Sequence, residues 1–147
     1  MSERQHPIVD IKTACACGAV RLSVNGPIYS MLLCSCTDCQ KATGTGHAAV
    51  AIANPESVLV EGQTRSFARP ADSGAIFTRH FCPECGTPIY GVSSRAPRSL
   101  MLPAGLLAAG DDWFAPSQLI FARSHHNWDF VADALPRHQT YRSNRLA

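Results

Sequence analysis

The 147-residue sequence carries little charge of either sign: 13 Lys and Arg stand against 11 Asp and Glu, a net +2, and no run of Lys or Arg occurs. Without a basic stripe to neutralise phosphates, no nucleic acid partner is expected. Long apolar runs are missing too. The richest stretch, SLMLPAGLLAAG, is too short to span a bilayer and is broken by Pro103 and Gly105, so no membrane partner is expected. The opening MSERQHPIVD mixes acid and base and has no apolar h-region, which reads as no secretory signal and makes the cytoplasm the expected compartment. There is no internal repeat, charge block or linker-like tract. A single domain over residues 1–147, with its core at about 11–136, is therefore the expectation. That length suffices to bury a core.

A sustained helical stripe is also absent, so any helix is short. TDCQKAT, Thr37 to Thr43, is the best candidate, with Thr37 or Asp38 as its cap and Gly44 as its stop. What is present is a period of two. Val20, Leu22 and Val24 alternate with Arg21 and Ser23, and Asn25-Gly26-Pro27 reads as a turn that closes the strand. IYSMLLC, HAAVAIA, SVLVEG, AIFTRHFC, PIYGV, SLML and SQLIFARS read as further strands separated by Gly, Pro, Ser and Asp. The expected fold class is all-β, mostly antiparallel.

Seven cysteines fall in three clusters: Cys15 and Cys17 in CACG, Cys34, Cys36 and Cys39 in LLCSCTDCQKATG, and Cys82 and Cys85 in CPECG. In a reducing compartment such pairs more often hold metal than form structural bridges, and disulfide pairing would strand one cysteine. C-x-x-C-G is a zinc-knuckle spacing in which Gly86 relieves the turn. CPEC as a redox dithiol would have to open a long helix, whereas CPECGTPIYGV continues as strand. On an extended chain Cys15 and Cys17 leave the same face, and a modest kink would let both join Cys82 and Cys85 around one ion in a closed tetrahedron.

Cys34 and Cys36 repeat the C-x-C geometry, and Cys39 follows at knuckle spacing. Three thiolates leave a fourth position on zinc, the pattern of catalytic sites. Such a site would ionise an incoming thiol, and three thiolates weaken the metal as a Lewis acid for the alternative, carbonyl polarisation. The other reading is a second structural zinc closed by a histidine, with His47, His80, His125 and His126 as candidates and His80 placed closer to the first cluster.

With the cysteines placed, the chain resembles the glutathione-dependent formaldehyde-activating enzyme family, also called the GFA or centromere protein V family. The resemblance lies in CACGAVRLSV, LLCSCTDCQKATGTGHAAV, RHFCPECGTPIYG, AGLLAAGDDWFAPSQLIFARSHHNWDF with its Trp128, and LPRH. It implies a β-tent fold and two zinc ions per chain. Cys15, Cys17, Cys82 and Cys85 would hold the structural ion and Cys34, Cys36 and Cys39 the catalytic one. It also implies a carbon–sulfur lyase-type activity that joins glutathione and formaldehyde into S-(hydroxymethyl)glutathione. Many members have histidine where this chain has Ser35, which an extended backbone would point away from the two flanking cysteines.

Glutathione carries two carboxylates, so Lys41, Arg79 and Arg123 are nominated as cations at the mouth. Asp111 and Asp112, between Gly110 and WFAPS, read as turn or cap residues, and His125 and His126 as proton-transfer candidates near a strand end. A non-catalytic zinc-stabilised binding module and a thiol- or redox-responsive zinc protein are the alternatives, and a homodimer stays open.

Overall fold

The computed structural model describes residues 6–107 and 113–141. Asp111 and Asp112 lie outside them. The strands are β1 (Ile8–Ala14), β2 (Arg21–Cys34), β3 (Ala48–Ala53), β4 (Val58–Glu61), β5 (Arg65–Pro70), β6 (Ile76–Phe81), β7 (Pro88–Ser93), β8 (Ala96–Pro103) and β9 (Leu119–Ile120), and the helix is α1 (Thr37–Thr43). Short 3₁₀ turns cover Pro55–Ser57, Ala104–Leu107 and Ala122–Ser124. The all-β expectation holds. The ladder runs β1-β2-β3-β8-β7-β6-β5, with β4 and β9 also paired to β2, and every pairing is antiparallel except β2 with β9.

The 14-residue β2 organises the rest. Its first half pairs with β1 on one side and β4 on the other, and its second half pairs with β3 and β9. The expected turn at Asn25-Gly26-Pro27 does not form, because the strand runs straight through it. Gly26 takes φ +151°, a conformation open to glycine, and the register shifts between Ile28 and Ser30, so the chain bends from one set of partners to the other without leaving the sheet. Pro27 lies opposite Ile8, at the end of the β1 pairing, where a missing donor does least harm.

Alternation along β2 buries Leu22 and Val24, and with Val20, Ile28, Ala51, Ala53, Ile89, Leu102 and Leu107 they form the core. Cys15 and Cys82 belong to the same buried cluster, whereas Cys17 and Cys85 are exposed, so the first sulfur group sits at the edge of the hydrophobic interior. The chain after Cys17 is held close to the end of β4: a Cβ on Gly62, at φ +104°, would stand 2.4 Å from the carbonyl oxygen of Ala19. Both backbone conformation and space forbid a side chain there. Gly62→Ala is expected to cost about 2 kcal/mol or more in urea unfolding; a change within a few tenths would show that this approach is not tight.

The C-terminal segment closes against β9. Leu119 and His138 exchange backbone bonds with Pro136 and Leu119, and Phe121 and Ala122 donate to Thr140 and His138. Residues 122–135 thereby become an excursion whose two ends are pinned together beside β2. No helix among the described residues is long and apolar enough to cross a membrane.

Candidate metal centres

The CACG segment is a turn rather than a kinked strand: Gly18 donates to the carbonyl of Cys15 at 3.0 Å and takes φ +82°. CPECG forms a second such turn, with Gly86 donating to Cys82 at 2.9 Å and φ +79°. Glycine is the residue that adopts this conformation freely. The two turns face each other. Thr87 stitches them, its hydroxyl accepting from the Ala16 amide at 3.2 Å and lying 3.1 Å from Cys85 Sγ.

The sulfurs of Cys15, Cys17, Cys82 and Cys85 all lie within 4.8 Å of one another. Cys15 and Cys17 are 3.6 Å apart, and Cys17 and Cys82 3.7 Å. A tetrahedron with metal–sulfur bonds of about 2.3 Å has edges of about 3.8 Å, so these spacings fit a zinc ion well. Amide donors support the sulfurs: Val20 reaches Cys15 at 3.3 Å and Glu84 reaches Cys82 at 3.4 Å. The Val20 amide is the main reason the Cys15 thiol is pulled below its ordinary range. The Thr87 hydroxyl, then its amide, brings Cys85 to about 5. Groups that stabilise a thiolate also suit a metal ligand.

Cys34, Cys36 and Cys39 form the second group, again within 4.8 Å. Cys34 is buried at the end of β2 and is fixed by pairing with Ala48 and Ile120. The helix cap differs from expectation. Neither Thr37 nor Asp38 caps α1; Cys36 does, its Sγ accepting from the Cys39 amide at 3.3 Å, while Gly44 ends the helix at φ +72° as expected. The cap ties two of the three sulfurs to one turn. Hydrogen bonds from Cys34, then Cys39, hold Cys36 down to about 2, helped by the Cys39 amide and the charge of Arg69. The converse pushes Cys34 up to about 12, its bond with Cys36 foremost, and raises Cys39 as well.

No histidine, aspartate or glutamate joins the triplet among the described residues. Each histidine candidate is engaged elsewhere. His47 pairs with Asp129 at 2.7 Å. His80 stacks on Tyr90 at 4.3 Å with Nδ1 3.4 Å from the Thr64 hydroxyl, and burial lowers its pKa. His125 lies 3.4 Å from Asp129, and His126 contacts Gln40 at 2.8 Å. Ser35 is fully buried, and its Oγ has no hydrogen-bond partner.

The nominated cations fare unevenly. Arg123 pairs with Asp72 and lies over the Phe121 ring, Arg79 lies over Phe67, and Lys41 is exposed on the last turn of α1. The cation that influences Cys36 is Arg69, which the sequence reading passed over. It comes from β5, sits 3.2 Å from Asp38 on α1, and has a side chain only 18% exposed. Nothing local in RSFARP signals this, because the contact spans distant segments.

The family model described as glutathione-dependent formaldehyde-activating enzyme matches residues 10–124. A curated protein of Halomonas elongata, provisionally named a glutathione-dependent formaldehyde-activating enzyme, is 28% identical over 92 residues. The match covers 59% of this chain and 59% of that relative. A crystal structure of a Rhodobacter sphaeroides protein superposes with a TM-score of 0.55 at 18% identity, covering 69% of this chain and 92% of the other, a likeness of fold.

Proposed function

We infer the function from one premise: the chain belongs to the glutathione-dependent formaldehyde-activating enzyme family. The proposed activity is addition of glutathione to formaldehyde or a related small aldehyde in the cytoplasm, giving S-(hydroxymethyl)glutathione, a carbon–sulfur lyase-type reaction run toward synthesis. The observation that carries this reading is the convergence of three sulfurs with no fourth protein ligand among the described residues. Cys34, Cys36 and Cys39 would hold a zinc ion that, when bound, supplies a soft Lewis acid able to keep a thiol in its nucleophilic thiolate form near neutral pH. Cys15, Cys17, Cys82 and Cys85 would hold a second, closed ion that binds the N-terminal turn to the β6–β7 hairpin.

The chain's own groups divide the remaining work. The end of β2 fixes Cys34, and the first turn of α1 fixes Cys36 and Cys39, so the reactive face has little freedom to spread. Arg69 and Arg123 bring positive charge toward the carboxylates of glutathione. Each already holds an acid, Asp38 and Asp72, and Asp38 and both members of the Arg123 pair are about half exposed. An exposed pair such as Arg123–Asp72 is worth about 1 kcal/mol or less, so its exchange for a substrate carboxylate costs little.

Replacing zinc by cobalt in the purified protein and titrating glutathione tests the reading. The spectrum of one of the two metal sites is expected to change and saturate while the other stays constant. An unchanged spectrum in folded protein would leave a zinc-stabilised binding module instead.

A further inference from the structure

Outside the sulfur clusters, Asp129, His47 and His125 form a close gathering of titratable side chains. Asp129, with 12% of its side chain exposed, places Oδ2 2.7 Å from His47 Nδ1 and 3.4 Å from His125 Nε2. The two histidines come from opposite sides, His47 from the segment entering β3 and His125 from the excursion after β9. Room for the carboxylate is built into the backbone: a Cβ on Gly46 would stand 2.4 Å from Asp129 Cγ, so the acid lies where a side chain would otherwise be.

This cluster borders the three-cysteine group. Cys34 pairs with Ala48, so His47 lies one residue beyond the end of the ladder that carries the first of the three sulfurs. Gln40, directly after Cys39, supplies the second link. Its amide nitrogen donates to the carbonyl of Ser35, between Cys34 and Cys36, at 2.8 Å and to that of Ser124 at 3.0 Å. Its amide oxygen lies 2.8 Å from His126 Nε2. One side chain thus joins the backbone between the cysteines to the residues on either side of His125.

The partners settle where the protons sit. A carboxylate accepts, so His47 Nδ1 donates to Asp129, and among the described residues His47 Nε2 has no hydrogen-bond partner. His125 Nδ1 faces the Arg137 guanidinium at 3.5 Å, a group that only donates, so its Nε2 carries a hydrogen, 3.4 Å from the same carboxylate but without a hydrogen bond to it. Asp129 is shielded, whereas the His47 side chain keeps 26% of its surface open. An imidazole with one nitrogen held by a shielded acid and the other without a partner among the described residues is the arrangement of a general base with its orienting group.

We propose that His47 is the proton carrier of the three-cysteine site and that Asp129 is its positioning residue. The proposal rests on the thiol-addition reading above. In the forward step the thiol proton passes to His47 Nε2, and the sulfur electron pair forms the carbon–sulfur bond. The carbonyl π pair moves to oxygen, and the imidazolium returns the proton to that oxygen. No atom is oxidised or reduced, and the histidine ends as it began.

The test uses the two-metal protein, with His47→Ala, His47→Gln and Asp129→Asn beside it. Exchange NMR of glutathione and formaldehyde measures the protein-dependent rate above the spontaneous one. Metal analysis reads both sites, and long-range nitrogen–proton NMR reads the imidazole tautomers. His47→Ala is expected to lower the protein-dependent rate about 100-fold. Half-saturation by glutathione should move little, both metals should remain, and added imidazole should restore part of the rate. Asp129→Asn should lower the rate and change the His47 signal from the Nδ1–H form. Three results overturn the proposal: an unaltered rate in both His47 variants, loss of one metal on replacing His47, or an Nε2–H tautomer at His47 in the unmodified protein. A rate no faster than background in the unmodified protein would instead remove the thiol-addition reading itself, and the proposal with it.

Discussion

Cys82→Ser is expected to lower the melting temperature by about 10 °C or more and to leave one metal per chain. Cys82 is fully buried within the apolar core, and its sulfur is 3.7 Å from Cys17 in the four-sulfur group. In small zinc domains the metal contributes on the order of 10–16 kcal/mol, which compares with roughly 5–15 kcal/mol for the whole stability of a typical domain. Serine oxygen is a poor substitute for thiolate, and it leaves a polar hydroxyl in the core. A loss above about 4 kcal/mol follows, worth some 10 °C in a chain of this size. Thermal unfolding with metal analysis decides it. A shift of only a few degrees would show that the four sulfurs do not anchor the fold.

The same chemical change at Cys36 should behave in the opposite way. Serine is among the preferred helix caps, and its oxygen can accept from the Cys39 amide as the sulfur does now. Stability should stay within about 1 kcal/mol of the unsubstituted protein. The thiol-dependent rate should fall to the spontaneous level, with one of two metals lost. Full activity in Cys36→Ser, measured by the same exchange NMR, would disprove a reactive role for the triplet. Together the two serine variants separate a sulfur group that supports the fold from one that works on it.

The sulfur groups were legible because their spacing is local: C-x-C, C-x-x-C and the glycines after them are statements about a few consecutive residues. The same locality explains Gly44 as the stop of α1 and the alternation of Val20, Leu22 and Val24. Misreadings arose where distant partners decide. Asn25-Gly26-Pro27 carries strong turn chemistry, yet β1 pairs along all three residues and holds them extended. Cys36 outcompetes Thr37 and Asp38 as the cap of α1, so a residue read as a ligand also shapes the backbone. RSFARP passed unread because five of its six residues are exposed, which erases the alternation that marks a half-buried strand. Arg69 and Asp129 could not be nominated at all. Their importance lies in what other segments bring beside them, and no spacing rule encodes that.

The position of β9 bears on how the polypeptide matures. A nascent chain can gather all four sulfurs of the first group once Cys85 has cleared the ribosome, across a gap of 65 residues between Cys17 and Cys82. Pairing of Leu119 and Ile120 with Leu33 and Cys34 waits until β9 has been made, well after Cys85. Synthesis therefore completes the four-sulfur group before β9 reaches the three-sulfur group, and a product truncated before Leu119 would leave the end of β2 without its parallel partner.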